Sequence, residues 1–266
     1  MSAPSDTAVV VRSHGPTTLP TLVYLPGIHG DWTLITRFRK ALTGRLRLVE
    51  ITYPRNCVWS LADYAGAIEC ALLEHGVTAG WLLGESFGSQ PAWELIGRQQ
   101  RNASQLKFHG LILAGGFVKH PWPWGALLLR SLHQTIPMGV WRRLLRAYGL
   151  YANWREQPDA DAAASIVEFI ARRLHPDDIK AMEHRYGLVA REDVRPIAAQ
   201  CTVPVFHLAG LVDPIVPAPQ VRHWLKRHCP GFEAGRTLCR ADHNVLSTAS
   251  QTAADLICAW MQQARA

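Results

Sequence analysis

Apolar residues along this chain recur at two different periods. In the first third, short unbroken runs predict buried strands: Thr21 to Leu25, stopped by Pro26-Gly27; Leu46 to Thr52, ended by Tyr53-Pro54; Trp81 to Leu83; and Leu111 to Ala114, closed by Gly115-Gly116. Between them the spacing is helical, from Leu61 to His75 with Gly76 as the stop, and again after residue 88 to about Arg101. Strands that are apolar throughout and separated by helices belong to a parallel sheet covered on both faces.

The rhythm breaks after Phe117. From Lys119 to about Ala199 no run predicts a strand, and several stretches are helical instead. Trp141, Leu144, Leu145 and Tyr148 share one helical face, with Arg142, Arg143 and Arg146 off it. Asp161 to Leu174 reads as a second helix, and Pro176-Asp177-Asp178 opens a third. The strand period then returns at Val203 to Leu208, followed by a helix at Gln220 to His228, a short strand at Arg236 to Cys239 and a closing helix at Ser247 to Gln262. The pattern predicts an α/β fold, a mostly parallel central sheet flanked by helices over residues 1–118 and 200–266. An all-helical insertion over 119–199 interrupts it.

Composition narrows the reading without redirecting it. At 266 residues, 48% hydrophobic and 18% charged, the chain is an ordinary globular protein, which excludes disorder and collagen-like repeats. No run of 18 apolar residues occurs, so no membrane span is expected, and the absence of a basic start followed by an apolar run predicts a cytoplasmic protein. Six cysteines without a Cys-x-x-Cys pair read as fillers or plain thiols rather than metal ligands; a Cys229–Cys239 bridge would need an oxidising compartment. The net charge of +7 invites a nucleic-acid partner, but the basic residues are spread singly, with no aromatic-basic module or zinc spacing, and none is predicted. One stretch departs from this: residues 119–155 hold six Lys or Arg and no Asp or Glu. They read either as a solvated helical face or as a docking surface for an acidic carrier protein or an anionic surface.

Candidate chemistry concentrates at the ends of the predicted strands. Gly84-Glu85-Ser86-Phe87-Gly88 stands between an apolar strand and a helix, the context in which Gly-x-Ser-x-Gly forms a sharp turn that projects the serine. A serine hydroxyl needs a base to take its proton and an acid to hold that base. Of twelve histidines, His243 is singled out by its place after the last short strand, on the sheet edge where such folds gather reactive groups. Asp213 follows the strand that ends near Ala209, and reads as the acid or as a turn aspartate before Pro214; Asp242 is the reserve candidate.

These motifs, in the order Ser86, Asp213, His243, make the chain resemble the α/β-hydrolase superfamily over about residues 20–117 and 200–264. The resemblance implies a helical cap after the superfamily's sixth strand and oxyanion donors at the backbone N–H of Phe87 and of Ile28, the latter uncertain by one residue. Some members carry the acid after that sixth strand, but Ala114 to Val118 offers no carboxylate there. The activity implied is hydrolysis of a small-molecule carboxylic ester with a short to medium, largely apolar acyl group, without cofactor or metal. A thioesterase, a C–C bond hydrolase on the same residues and a ligand receptor without turnover remain open. The aromatics Trp122, Trp124, Trp141 and Trp154 either wall the substrate pocket, with Trp122 and Trp124 foremost, or knit the cap's own core. His29 either reaches the pocket or only shapes its loop.

Overall fold

The apolar runs lie side by side in a computed structural model, which describes residues 7–55, 58–137, 139–141, 143–144, 146–147, 160–173 and 175–264. Its strands are β1 (Val10–His14), β2 (Thr21–Leu25), β3 (Arg47–Thr52), β4 (Ala79–Glu85), β5 (Lys107–Ala114), β6 (Val205–Gly210) and β7 (Phe232–Leu238). Among the described residues these seven make one sheet in the order β1-β3-β2-β4-β5-β6-β7. β1 runs antiparallel to β3, and every other neighbouring pair is parallel.

Every residue of β3 and β6 is buried, which requires cover on both faces. On one face, Tyr64 and Ile68 of α2 (Leu61–Glu74), Trp93 of α3 (Ser89–Gln100) and Leu225 of α8 (Ala218–His228) join one core cluster. On the other, Phe38 of α1 (Thr36–Ala41) and Ile257 of α10 (Ser250–Gln263) join a second. Local signals set the helix ends. Ser60 accepts from the backbone N–H of Asp63 while Asp63 accepts from that of Ser60, a reciprocal cap at the start of α2; Gly76 leaves that region at φ +72°.

The segment between β5 and β6 contains α4 (Pro123–Thr135), α5 (Ala160–Arg173), α6 (Pro176–Arg191) and α7 (Arg195–Ala198), and no strand among its described residues. In this chain it follows β5 and precedes β6. Its two ends meet: Val194 N–H donates to the Val118 carbonyl at 3.1 Å, and Lys119 pairs with Asp193 at 3.2 Å. α4 packs on α6, and α5 packs on the turn at Thr33–Ile35 that follows the loop after β2. Leu145, Tyr148, Trp154, Arg142, Arg155 and Cys57 lie outside the described residues.

β1, α1, α4 and α7 were not read from the pattern. β1 is an edge strand half-buried throughout, whose Arg12 and His14 side chains reach Glu50 of β3, so its sequence is too polar to read as a run. α1 is six residues long, too short for its period to show. The closing helix is also divided, α9 (Val245–Thr248) being separated from α10 by Ala249 at φ −146° and ψ 46°.

Candidate active site

The chain order reverses at the middle of the sheet: from β2 it steps outward to β3, then returns to place β4 on β2's other side. Loops leaving the carboxyl ends of β2 and β4 therefore part in opposite directions, and a crevice opens between them. Leu25 pairs with Gly84, so the loop 26–31 and the turn at Ser86 stand together.

Ser86 has φ +50°, a left-handed conformation that costs a non-glycine residue energy and persists only where the surroundings enforce it. The flanking glycines permit the turn. A Cβ on Gly84 would sit 2.7 Å from Ser89 Cα, and one on Gly88 would sit 2.1 Å from the Leu25 carbonyl oxygen. Phe87 occupies the first turn of a short 3-10 segment leading into α3, where backbone N–H groups lack helical acceptors.

Ser86, His243 and Asp213 come together from three loops. Ser86 Oγ lies 2.8 Å from His243 Nε2, and His243 Nδ1 lies 2.8 Å from Asp213 Oδ2. The other Asp213 oxygen accepts from the backbone N–H groups of Ile215 and Val216 at 2.8 and 2.9 Å. Burial pushes the Asp213 carboxyl up, but the His243 hydrogen bond and charge, with those two N–H groups, outweigh it and hold Asp213 below the usual carboxylate range. Burial likewise depresses His243, yet its bond to Asp213 and the charges of Asp213, Glu85 and Asp242 leave it above the ordinary imidazole value. Asp242 does not compete for His243 Nδ1: its Oδ1 accepts from Asn244 N–H and from the Thr248 hydroxyl, tying the turn that enters α9.

These residues open into a cavity of about 530 Å³, within the range of small-molecule sites. Gly27 and Ile28 line it beside Ser86, and a Cβ on Gly27 would lie 3.4 Å from Ser86 Cβ. His29, Trp122 and Trp124 line it as well; His29 meets Phe169 edge-on, and the two tryptophans are 40% and 67% exposed, so neither is sequestered in a cap core. Tyr186 and Val189 of α6 complete an opposite, apolar wall.

Several contributors escaped sequence reasoning. Glu85, buried and lining the cavity, accepts from the Tyr24 hydroxyl at 2.5 Å, and burial raises its carboxyl. Its position next to Ser86 was the available signal. His120 accepts the Trp122 N–H on Nδ1 at 3.1 Å, and burial lowers its basicity, so the neutral ring carries its proton on Nε2. Arg173 and Arg185, both 0% exposed, reach the loops behind the cavity, where no periodicity could foretell them. Among the described residues no cluster of His, Cys, Asp or Glu is fit to hold a metal ion, the five described cysteines are free thiols, and no helix is long and apolar enough to cross a membrane.

In sequence the chain matches no family model and no curated protein. In structure it is similar to an esterase from Exiguobacterium antarcticum (15% identity, 98% of this chain and 100% of that one, TM-score 0.76). It is also similar to the enol-lactonase of Burkholderia xenovorans (14%, 96% of each, 0.72) and to MenH from S. aureus (16%, 98% and 100%, 0.69).

Proposed function

From the premise that this chain has the α/β-hydrolase fold, we propose that it is a serine hydrolase acting on small carboxylic esters, with residues 119–199 serving as a cap over the site. The observation that carries the reading is the continuous relay from the strained Ser86 hydroxyl through His243 to Asp213. His243 Nδ1–H donates to Asp213, which leaves Nε2 free to accept the Ser86 proton as Oγ attacks the ester carbonyl. Negative charge then develops on the carbonyl oxygen beside the N–H groups of Phe87 and Ile28. His243 returns the proton to the departing alcohol. Water, deprotonated by the same imidazole, next attacks the acyl-enzyme and releases the acid.

The apolar wall of Tyr186, Val189 and Ile215 favours an uncharged acyl group, and the cavity volume favours short to medium chains. Esterases among the structural neighbours support the same reaction class. A fluorophosphonate probe should label Ser86, and a chromogenic ester should give a burst of product whose amplitude matches the enzyme concentration. Labelling that survives Ser86→Ala would sink this assignment. Saturable ligand binding with no turnover across esters and thioesters would assign a receptor instead.

A further inference from the structure

Two buried arginines on the inserted helices end on the loop that adjoins Ser86. Arg173, the last residue of α5, donates from Nε and Nη2 to the His29 carbonyl at 3.3 and 3.1 Å. Its Nη1 and Nη2 also reach the Tyr53 carbonyl at 3.4 Å. Arg185, in α6, donates from Nη1 to the Ile28 carbonyl at 2.8 Å, from Nη2 to Pro54 at 3.5 Å and from Nε to the Tyr64 hydroxyl at 3.0 Å. Both side chains are wholly buried, and the nearby Asp178 lies 3.3 Å from Arg173 Nε. Two guanidinium groups aimed largely at backbone carbonyls are an expensive way to fill space that apolar side chains would fill at lower cost.

The carbonyls they hold fix the loop's N–H groups. A trans peptide points its C=O and N–H in opposite directions. Gly27 C=O accepts from Gly30 N–H at 2.9 Å, so three successive carbonyls, those of Gly27, Ile28 and His29, are each tied down. The N–H of His29 must then face away from Arg185, and that of Ile28 away from Gly30. Gly30 adopts φ +70°, and a Cβ there would lie 2.9 Å from Arg185 Nη1 and 3.1 Å from Arg173 Nη2, so the fit is built around glycine. The bonds also run in series: Arg173 binds the carbonyl of the peptide whose N–H is that of Gly30, and Gly30 binds the carbonyl of the peptide whose N–H is that of Ile28. A cation at one end of such a chain polarises each link and strengthens the last donor.

We infer that Arg173 and Arg185 are positioning residues for the oxyanion site, so that the inserted helices both cover the cavity and set the donor strength of the loop at Ile28. This rests on Ser86 being the nucleophile.

The test uses the full chain with Arg173→Met, Arg185→Met and the conservative Arg173→Lys and Arg185→Lys, each checked for folding by circular dichroism. The readouts are kcat, KM and inhibition by a trifluoromethyl ketone, whose tetrahedral adduct carries an oxyanion. Each Met variant should lose about 10–100-fold in kcat and a similar factor in ketone affinity, with KM within about threefold, and Lys should restore part of both. Folded Met variants with unchanged kcat and ketone affinity would overturn the inference, as would losses in KM alone. Should a Met variant not fold, the Lys variants decide: a smaller loss of the same kind supports the inference, and wild-type values refute it. Failure of the wild-type protein to react with a fluorophosphonate would count against the catalytic reading only. Hydrogen exchange at Gly30 N–H then reads the clamp alone, faster exchange in Arg173→Met sustaining it and unchanged exchange refuting it.

Discussion

On the proposed mechanism the proton path from Ser86 to Asp213 passes through one imidazole, so each member is of no use to the reaction without the others. Ser86→Ala, His243→Ala and Asp213→Asn should therefore each lower kcat by about three decades or more while circular dichroism stays native. Full activity in Asp213→Asn would place the acid elsewhere. Proton demand also sets the pH profile. The proposed mechanism needs His243 neutral at Nε2, and His243 is held above its ordinary value of 6.5, so activity should fall as pH drops through an apparent pKa above that figure. Glu85 is one of the charges that raise it, so Glu85→Gln should move the acid limb to lower pH, read from kcat/KM against pH. An acid limb unmoved in Glu85→Gln would show that Glu85 does not bear on His243. At this scale Ser86, Asp213 and His243, which the structure brings together, could be picked out as candidates because each sits where a strand pattern stops. Glu85 was visible but unassigned, since nothing in a sequence distinguishes a carboxyl packed under a cavity from one in water.

Among the elements, α4 carries the aromatics nearest the cavity mouth. Trp122, at its N-cap, and Trp124 are 40% and 67% exposed and line the cavity, so truncating either removes little buried area but reshapes the wall. Trp122→Ala and Trp124→Ala should alter the ratio of kcat/KM between short and medium acyl esters, while the melting temperature moves little. A flat ratio in both variants would reject the wall. α4 and α7 were not picked out, but α5, expected over Asp161 to Leu174 with Leu174 outside the described residues, and the start of α6 were read from their period. Their aim was not. Helical spacing tells which face is apolar, but an arginine that leaves that face to reach a carbonyl in a distant loop depends on how the helix is docked, which only the tertiary structure determines.

For the whole molecule, the alternation of strand and helix was enough to predict a parallel sheet because covering both faces forces each strand to be apolar throughout. Edge strand β1, with its charges spent on Glu50, gave no such sign. The core beneath the site supports everything above it: Trp93, 0% exposed between α3 and the sheet, should cost about 3–5 kcal/mol when cut to alanine, measured by urea unfolding. A loss below about 1 kcal/mol would show that this face of the core can collapse around the gap. The turn at Ser86 draws on the same reserve. Its left-handed backbone is a standing debt of about 1 kcal/mol that the rest of the fold carries to keep one hydroxyl raised above the sheet. Glycine alone occupies that conformation freely, so Ser86→Gly should be inert toward esters yet melt at a higher temperature than the equally inert Ser86→Ala. On the proposed reading the protein is then measurably less durable than its fold allows, by the margin that reactivity demands.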